Sequence, residues 1–413
     1  MSTPFYDLAS LVVVPSGYKS GKVYAQKPLT TDGQLTFTRA STATRVNASG
    51  LIEAVATGVP RLDYLNSTCG KLILEGQRTN LFTFSENFDN ADWSKTGITI
   101  TANETTSPDG YVNADKLENS SDGSRYISQN ISLTSGTSYT YSSFLKKGIM
   151  DWCYLLAIGS TNTAASTFDI LNGVVGSSAT SNISISNKIE YYGNGWYRCS
   201  ITFTPTVSTS FNFRIYNADS ATDVNTLAGS YNYIYGAQLE ASAAYASSYI
   251  PTLGASQTRV GDAAFKTGIT SLIGQSEGTL FLDFEGGEND SIDYGFSISD
   301  ETTTNRIVIF RTAANTLQVL VRSSGVTQAI IATGTITPNT RQKCALAYKL
   351  NDIAFYVNGV QIGVDTSATI PACSALSTSS GAIAGTLFGR PINQALLFKT
   401  RLTNDQLAEL TAL

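Results

Sequence analysis

The chain has 413 residues, no histidine, only 14% charged residues and a net charge of -5 at pH 7. Without imidazole there is no Ser-His or Cys-His dyad, no His-ligated zinc site and no histidine pH switch. Without a basic surplus there is no surface for a phosphate backbone, so nucleic acid is not an expected partner, and the length suggests two or three domains.

Met1 to Tyr6 carries no basic segment, and the apolar run Leu11 to Val14 is too short for a signal or a membrane span. Pro15 to Pro28 mixes Pro, Gly and Lys and is read as an extended arm. Within it, Gly17 to Val23 imitates a phosphate loop but is one residue short and lacks the closing Ser or Thr. From about Leu35 onward, short segments of alternating β-branched and aromatic residues are separated by Gly, Asn, Asp and Ser, which is the pattern of strands and turns. Asn172-Gly173, Asn194-Gly195 and Asn358-Gly359 sit between apolar alternations and predict hairpins, because a type I′ turn needs positive φ at both central residues. No short repeat period is visible, which disfavours a β-helix. The one predicted helix is Thr403 to Leu413, where Thr403 and Gln406 fit a capping box and Leu407 and Leu410 form an apolar stripe. The expected fold is all-β: tandem β-sandwich, jelly-roll modules with a short C-terminal helix.

The five cysteines are dispersed, odd in number and read as small buried hydrophobes. Asn-x-Ser/Thr sequons such as Asn66-Ser67-Thr68 arise freely in so Asn-, Ser- and Thr-rich a chain. Gly274-Gln275-Ser276-Glu277-Gly278 matches a nucleophile-elbow string, but a strand follows it where a helix should, and there is no histidine to act as base. A carboxylate pair remains chemically open for glycoside cleavage. The acidic run holding Glu285, Glu288, Asp290 and Asp293 could gather calcium through its oxygens, although the spacing is not that of an EF-hand.

Sugars pack their C–H faces on aromatic rings while amides and carboxylates take the hydroxyls. With 21 tyrosines and three tryptophans, candidates are many. Period-two geometry puts Tyr231, Tyr233 and Tyr235 on one strand face and pairs Trp152 with Tyr154 on another. One face of a sandwich strand is ordinarily core, so these rings could equally pack inside. Trp93 and Trp196 are read as core.

A series of phrases runs through the first hundred residues: Phe37-Thr38-Arg39-Ala40-Ser41, Gly50-Leu51-Ile52-Glu53, Gly58-Val59-Pro60-Arg61-Leu62-Asp63-Tyr64, Leu72-Ile73-Leu74-Glu75 with Arg78-Thr79-Asn80-Leu81, and Ser85-Glu86-Asn87-Phe88 through Trp93. In this order they resemble the front end of a family of tailed-phage virion proteins. The resemblance implies four regions: 1–80, an arm and virion-attachment region; 81–252, a carbohydrate-binding-module-like jelly roll; 253–277, a linker carrying Thr258-Arg259; and 278–413, a concanavalin A/laminin-G-like sandwich. It also implies a structural calcium near Asp89 and Glu240. The function expected from it is a non-enzymatic tail-fibre, head-fibre or capsid-decoration protein on the virion surface, made in the host cytoplasm without a signal peptide. Its partners would be other virion proteins and host-surface polysaccharide, with no membrane, and its assembly a homotrimer. A purely structural subunit without sugar binding is the alternative, and a carboxylate-dependent depolymerase the third reading.

Overall fold

A computed structural model describes residues 5–14, 17–285, 293–312, 315–337, 340–379 and 391–413. The chain is all-β, built from tandem sandwich modules, and among the described residues α-helix is confined to Phe5–Leu8 and the C-terminal Asn404–Thr411. The predicted capping box is present: Gln406 N donates to Thr403 Oγ1 (3.3 Å) and Thr403 N donates to Gln406 Oε1 (2.9 Å). Leu407 and Leu410 seat this helix in an apolar cluster with Phe281, Tyr356 and Leu396, so its stripe closes the second sandwich.

The middle sandwich packs two antiparallel sheets face to face. The six-stranded sheet runs Ser94–Thr96, Tyr126–Leu133, Thr209–Ala218, Trp152–Ile158, Thr163–Asp169 and Val174–Ser181. Opposite it, the main path of the eight-stranded sheet runs Ile98–Thr106, Val112–Asn119, Tyr231–Ala241, Tyr139–Lys147, Trp196–Phe203 and Ile185–Tyr191. Between the sheets lie Phe82, Trp93, Tyr141, Phe168, Phe211 and Phe213, and the rings of Phe82, Trp93, Tyr141, Phe211 and Phe213 meet edge-on or tilted. Asn194 and Asn358 are both left-handed (φ 51° and 49°), as are the glycines after them, so these two pairs make the predicted tight turns. Around Asn172 only Gly173 has positive φ; the hairpin forms, but through a wider turn held by Asp169.

The second sandwich is where the sequence expectation changes. Its eight-stranded sheet contains Val360–Asp365, Asp352–Val357, Arg341–Lys349, Glu277–Glu285 and Pro391–Phe398, and then continues into Lys71–Ile73 and Arg61–Asp63 from the start of the chain. Its nine-stranded sheet likewise begins with Gly17–Lys19, Lys22–Tyr24 and Gln34–Thr38. Of the run from Pro15 to Pro28, the described residues 17–28 are therefore no free arm. Tyr18, Val23 and Leu35 pack into the core of this sandwich, and the segment hydrogen-bonds as edge strands. Nor is 253–277 a loose link: Gln257–Arg259 pairs with Arg78–Asn80, and Ala263–Lys266 pairs with both Gln34–Thr38 and Ala375–Ser377.

One piece of the N-terminal region goes the other way. The hairpin of Ala43–Val46 and Ile52–Val55 lays Val46 and Ile52 on the outer face of the middle sandwich's eight-stranded sheet, against Ala114, Phe144, Trp196, Tyr235 and Tyr249. A buried ion cluster ties this cover to both sandwiches. Arg39 pairs with Asp262 (3.0 Å), Arg61 with Glu75 (2.8 Å) and with Asp262, and Arg259 with Glu75, and all five side chains are nearly or fully inaccessible. Spare donors end on the carbonyls of Thr44, Ala56 and Gly76, and Ser248 donates to Glu75 through N (2.9 Å) and Oγ (2.6 Å). Burial alone would raise the Glu75 pKa, but the guanidiniums of Arg259 and Arg61 outweigh it and hold the carboxyl well below the usual carboxylate range. Arg39, Arg61, Glu75 and Asn80, which stand out in the ordered phrases of the sequence, are thus joints between layers.

Four of the five cysteines are buried and unbonded, as expected of small hydrophobes, and Cys69 is exposed. No helix among the described residues is long and apolar enough to cross a membrane.

Candidate functional site

The two candidate aromatic groups lie on opposite outer faces of the middle sandwich. Tyr231, Tyr233 and Tyr235 do share one face of Tyr231–Ala241, and it faces outward, because Ile234, the alternate residue between Tyr233 and Tyr235, supplies the core. They do not form one platform, however. Tyr235 is only 2% exposed, sealed beneath the N-terminal hairpin, with its hydroxyl 3.0 Å from carboxylate oxygens of both Glu86 and Asp109. Burial pushes its phenol far up, with Tyr249, Glu86 and Asp109 adding to the effect. Tyr235 is therefore corrected from ligand contact to packing residue. Tyr231 and Tyr233 remain half-exposed, edge to face at 5.6 Å, with the Lys116 ammonium 4.3 Å above the Tyr231 ring. That amine is already ion-paired to Glu118, and the Tyr231 ring lies against Gly148, where no side chain would fit.

Trp152 and Tyr154 occupy the bare face. Along Trp152–Ile158, Cys153, Leu155 and Ala157 point into the core, leaving Trp152, Tyr154, Leu156 and Ile158 outside. The neighbouring strand Thr209–Ala218 repeats the rule: Phe211, Phe213 and Ile215 face in, and Asn212, Arg214 and Tyr216 face out. Register then assembles rows across the sheet. Tyr126, Tyr216 and Tyr154 are direct neighbours; Ser128, Arg214 and Leu156 form the next row; Asn130, Asn212 and Ile158 the one after.

The ring centroids of Tyr126 and Tyr154 stand 4.9 and 5.3 Å from that of Tyr216. Tyr216 is the mortar at 4% exposure, while Tyr126 and Tyr154 keep accessible surface. Burial raises the phenol of Tyr154, helped by Tyr216, so the hydroxyl is a neutral donor and acceptor at any ordinary pH. Beside the rings runs a polar ladder: Asn212 Nδ2 donates to Asn130 Oδ1 (3.0 Å), Arg214 Nε donates to Asn212 Oδ1, and Arg214 Nη1 donates to Tyr216 Oη (3.2 Å). The guanidinium lies 4.3 Å from the centroid of the Tyr126 ring, which fixes its plane. Trp152 leans over Gly176 at the sheet's far side, where an added Cβ would come within 2.6 Å of the indole. The apolar cluster on this face consists only of side chains from its own strands, so among the described residues no further layer covers it. The segment after Ala218 bounds one end, where Thr167 Oγ1 donates to the Ala221 carbonyl (2.7 Å).

Aromatic rings beside fixed amide and guanidinium donors, open to solvent on a rigid sheet, can receive a sugar's C–H face and its oxygens together. Sequence reasoning named Trp152 and Tyr154 on this face but not Tyr126, Arg214 and Tyr216. The signal existed in Phe211-Asn212-Phe213-Arg214-Ile215-Tyr216, whose alternation separates three core residues from three surface ones.

The calcium expectation does not survive in its stated form. Asp89 is exposed, and the Lys95 ammonium donates to its carbonyl (2.7 Å) and to that of Asn90, so the chain itself supplies the cation there. Glu240 is buried elsewhere, both oxygens taken by Ser247. Glu285 is paired with Lys71, Glu288 and Asp290 lie outside the described residues, and of Asp293 only the backbone is described. Among the described residues no group of three His, Cys, Asp or Glu side chains could hold a metal.

No family model and no curated protein matches the sequence. Solved structures do. The CBM40 module of the Ruminococcus gnavus IT-sialidase matches with a TM-score of 0.30 at 16% identity, covering 33% of this chain and 84% of that one. The NanB sialidase of Streptococcus pneumoniae gives 0.30 at 13%, over 34% of this chain and 25% of that one. A heptameric SAP-like pentraxin from Limulus polyphemus gives 0.27 at 14%, over 33% and 70%. The sialidase module, the sialidase and the pentraxin are not phage virion proteins, and on that finding the expected kinship with a phage virion family is corrected. The tail-fibre, head-fibre and capsid-decoration assignment is withdrawn with it.

Proposed function

We propose that the protein binds carbohydrate without transforming it, through the bare outer face of the six-stranded sheet in the middle sandwich. The observation that carries this is the row Tyr126, Tyr216 and Tyr154 running beside the Asn130, Asn212 and Arg214 ladder on a face left uncovered by the rest of the described chain. Stacking surface and directional donors are the two things a sugar needs, and both are held by cross-strand register rather than by loops. A shallow sheet face contacts few sugar units, so a single site binds at roughly millimolar to micromolar strength. Binding of the full-length protein to an oligosaccharide array, followed by calorimetry on the best ligand, tests the proposal. Tyr126→Ala and Tyr154→Ala should each weaken binding about tenfold or more, since a lost aromatic contact is worth about 1–1.5 kcal/mol, and should leave the fold intact. Unchanged affinity in both variants sinks it.

A further inference from the structure

Resting on that reading, we infer that the sugar taken by this face is anionic, with Arg214 as the receptor for its carboxylate or sulfate. Arg214 sits at the centre of the face, half-buried, in the row between Ser128 and Leu156. Its partners are neutral: Asn212 Oδ1, Tyr216 Oη and the Tyr126 ring. Among the described residues no carboxylate comes within ion-pair distance, whereas Arg39, Arg45, Arg61, Arg259, Arg341 and Arg401 each have one. A guanidinium partly withdrawn from water without a counter-ion carries a desolvation cost that an incoming anion relieves.

Geometry narrows the ligand further. Nε and one N–H of Nη1 are engaged along the strand and the ring of Tyr126 holds the plane, leaving the second N–H of Nη1 and both of Nη2. A pair of N–H groups, one from each terminal nitrogen, in a fixed plane suits a planar or tetrahedral oxyanion better than a lone hydroxyl. With Tyr126 and Tyr154 flanking the same spot, a pyranose ring bearing an acidic substituent can stack and be charge-paired at once. A neutral sugar would satisfy only the first of these.

The test uses the full-length protein and three sets of oligosaccharides of equal length: neutral hexosides, hexuronates and sulfated hexosides. Calorimetry at low salt and at about 0.5 M salt reads the preference, which screening should reduce. An acidic ligand should bind about tenfold or more tighter than its neutral counterpart, from the strength of a charge-assisted hydrogen bond. Arg214→Gln should erase that margin, bringing acidic-ligand affinity down to that of the neutral counterpart measured in the same variant, and Arg214→Lys, which keeps charge but loses the planar fork, should fall between. The hexuronate and sulfated arms separate at about pH 3, where a carboxylate is protonated and a sulfate is not, so loss there of hexuronate binding alone identifies the carboxylate. Equal affinity for neutral and acidic ligands, or an Arg214→Gln protein that keeps the preference, overturns the inference and leaves the carbohydrate proposal standing. Absence of binding in all three sets overturns both.

Discussion

The middle sandwich has two outer faces of similar chemistry and opposite fate. Each carries tyrosines at alternate positions of central strands, with one or two long cations among them. On the eight-stranded side the N-terminal hairpin descends on the sheet and turns Tyr235, Phe144 and Trp196 into core. On the six-stranded side the segment after Ala218 reaches one end of the face at Thr167, no further apolar layer joins the cluster there among the described residues, and Tyr126 and Tyr154 keep accessible surface. An aromatic on a strand is therefore mortar or contact according to what a distant part of the chain does. Here the deciding element lies some 180 residues earlier than Tyr235 in the sequence, by its numbering. The comparison can be broken by removing the cover or sharpened by cutting equivalent rings on the two faces.

The largest effect should come from the ions that hold the cover in place. Arg61→Ala leaves Glu75 and Asp262 each short of a buried partner and should cost about 3–5 kcal/mol, measured by chemical denaturation. A loss below about 1 kcal/mol would show that apolar packing alone holds the layers. Next come the rings themselves. Tyr235→Ala empties a buried site and strips Glu86 and Asp109 of a hydroxyl, so a loss of about 3–5 kcal/mol is expected. Tyr154→Ala on the bare face should cost only about 1–2 kcal/mol while reducing ligand binding. Equal destabilisation by the two would mean that the faces are not different in kind.

How far this was legible follows from the same contrast. Strand alternation, the two I′ turns at Asn194 and Asn358 and the capping box at Thr403 were all readable, because each is decided within a few residues. That Tyr231, Tyr233 and Tyr235 share a face was readable too. Which layer meets that face was not, since it depends on Val46 and Ile52 arriving from another module. The same limit hid the N-terminal strands: Arg61–Asp63 pairs locally with Lys71–Ile73, but Lys71–Ile73 joins its sheet only at Pro391–Phe398, more than 300 residues on, and a local reading sees an isolated arm. Arg39, Arg61 and Glu75 drew attention as phrases, yet Asp262, which joins Arg39 to Arg61, stood in none of them.

Acid should separate the buried ion cluster from the eight-stranded sheet of the middle sandwich by sign. Glu75 is held below its ordinary 4.5, so the stability it contributes is present above that value and is lost as pH falls through the folded value. Asp115, on the eight-stranded sheet, is shifted the other way: burial raises it to about 6 against the hydrogen bonds from Asn103 and Phe88, so its contribution is full below 3.8 and is lost as pH rises through about 6. The loss is at most about 3 kcal/mol. In a denaturation series from pH 3 to 8, Glu75→Gln should flatten the acid limb and Asp115→Asn the stretch between 4 and 6. A series in which neither variant changes the slope assigned to it would refute both assignments.

The smallest effect is the most discriminating, because it concerns the rings at the margin of the hairpin's cover. Tyr231 and Tyr233 stand on the covered sheet, half-exposed, Tyr233 against the edge of the covered cluster and Tyr231 with Lys116 over its ring and Glu118 holding that lysine. Their chemistry resembles that of the bare face, but their cation is already neutralised and Gly148 presses on the Tyr231 ring from the side. If counter-ion-free charge beside open rings makes a sugar site, these tyrosines should lack one despite their exposure. Tyr231→Ala with Tyr233→Ala should therefore cost about 1 kcal/mol or less apiece, from a lost exposed cation–π contact and a partly buried ring, and should leave oligosaccharide affinity unchanged. Glu118→Gln frees Lys116 and is the sharper probe: a gain in affinity for acidic oligosaccharides in that variant, absent when Tyr231 is also removed, would show that the two faces differ only in whether their cation is spoken for. No gain would place the difference in the geometry of the rings instead, since Tyr231 and Tyr233 meet edge to face at 74° and offer a ligand no shared surface.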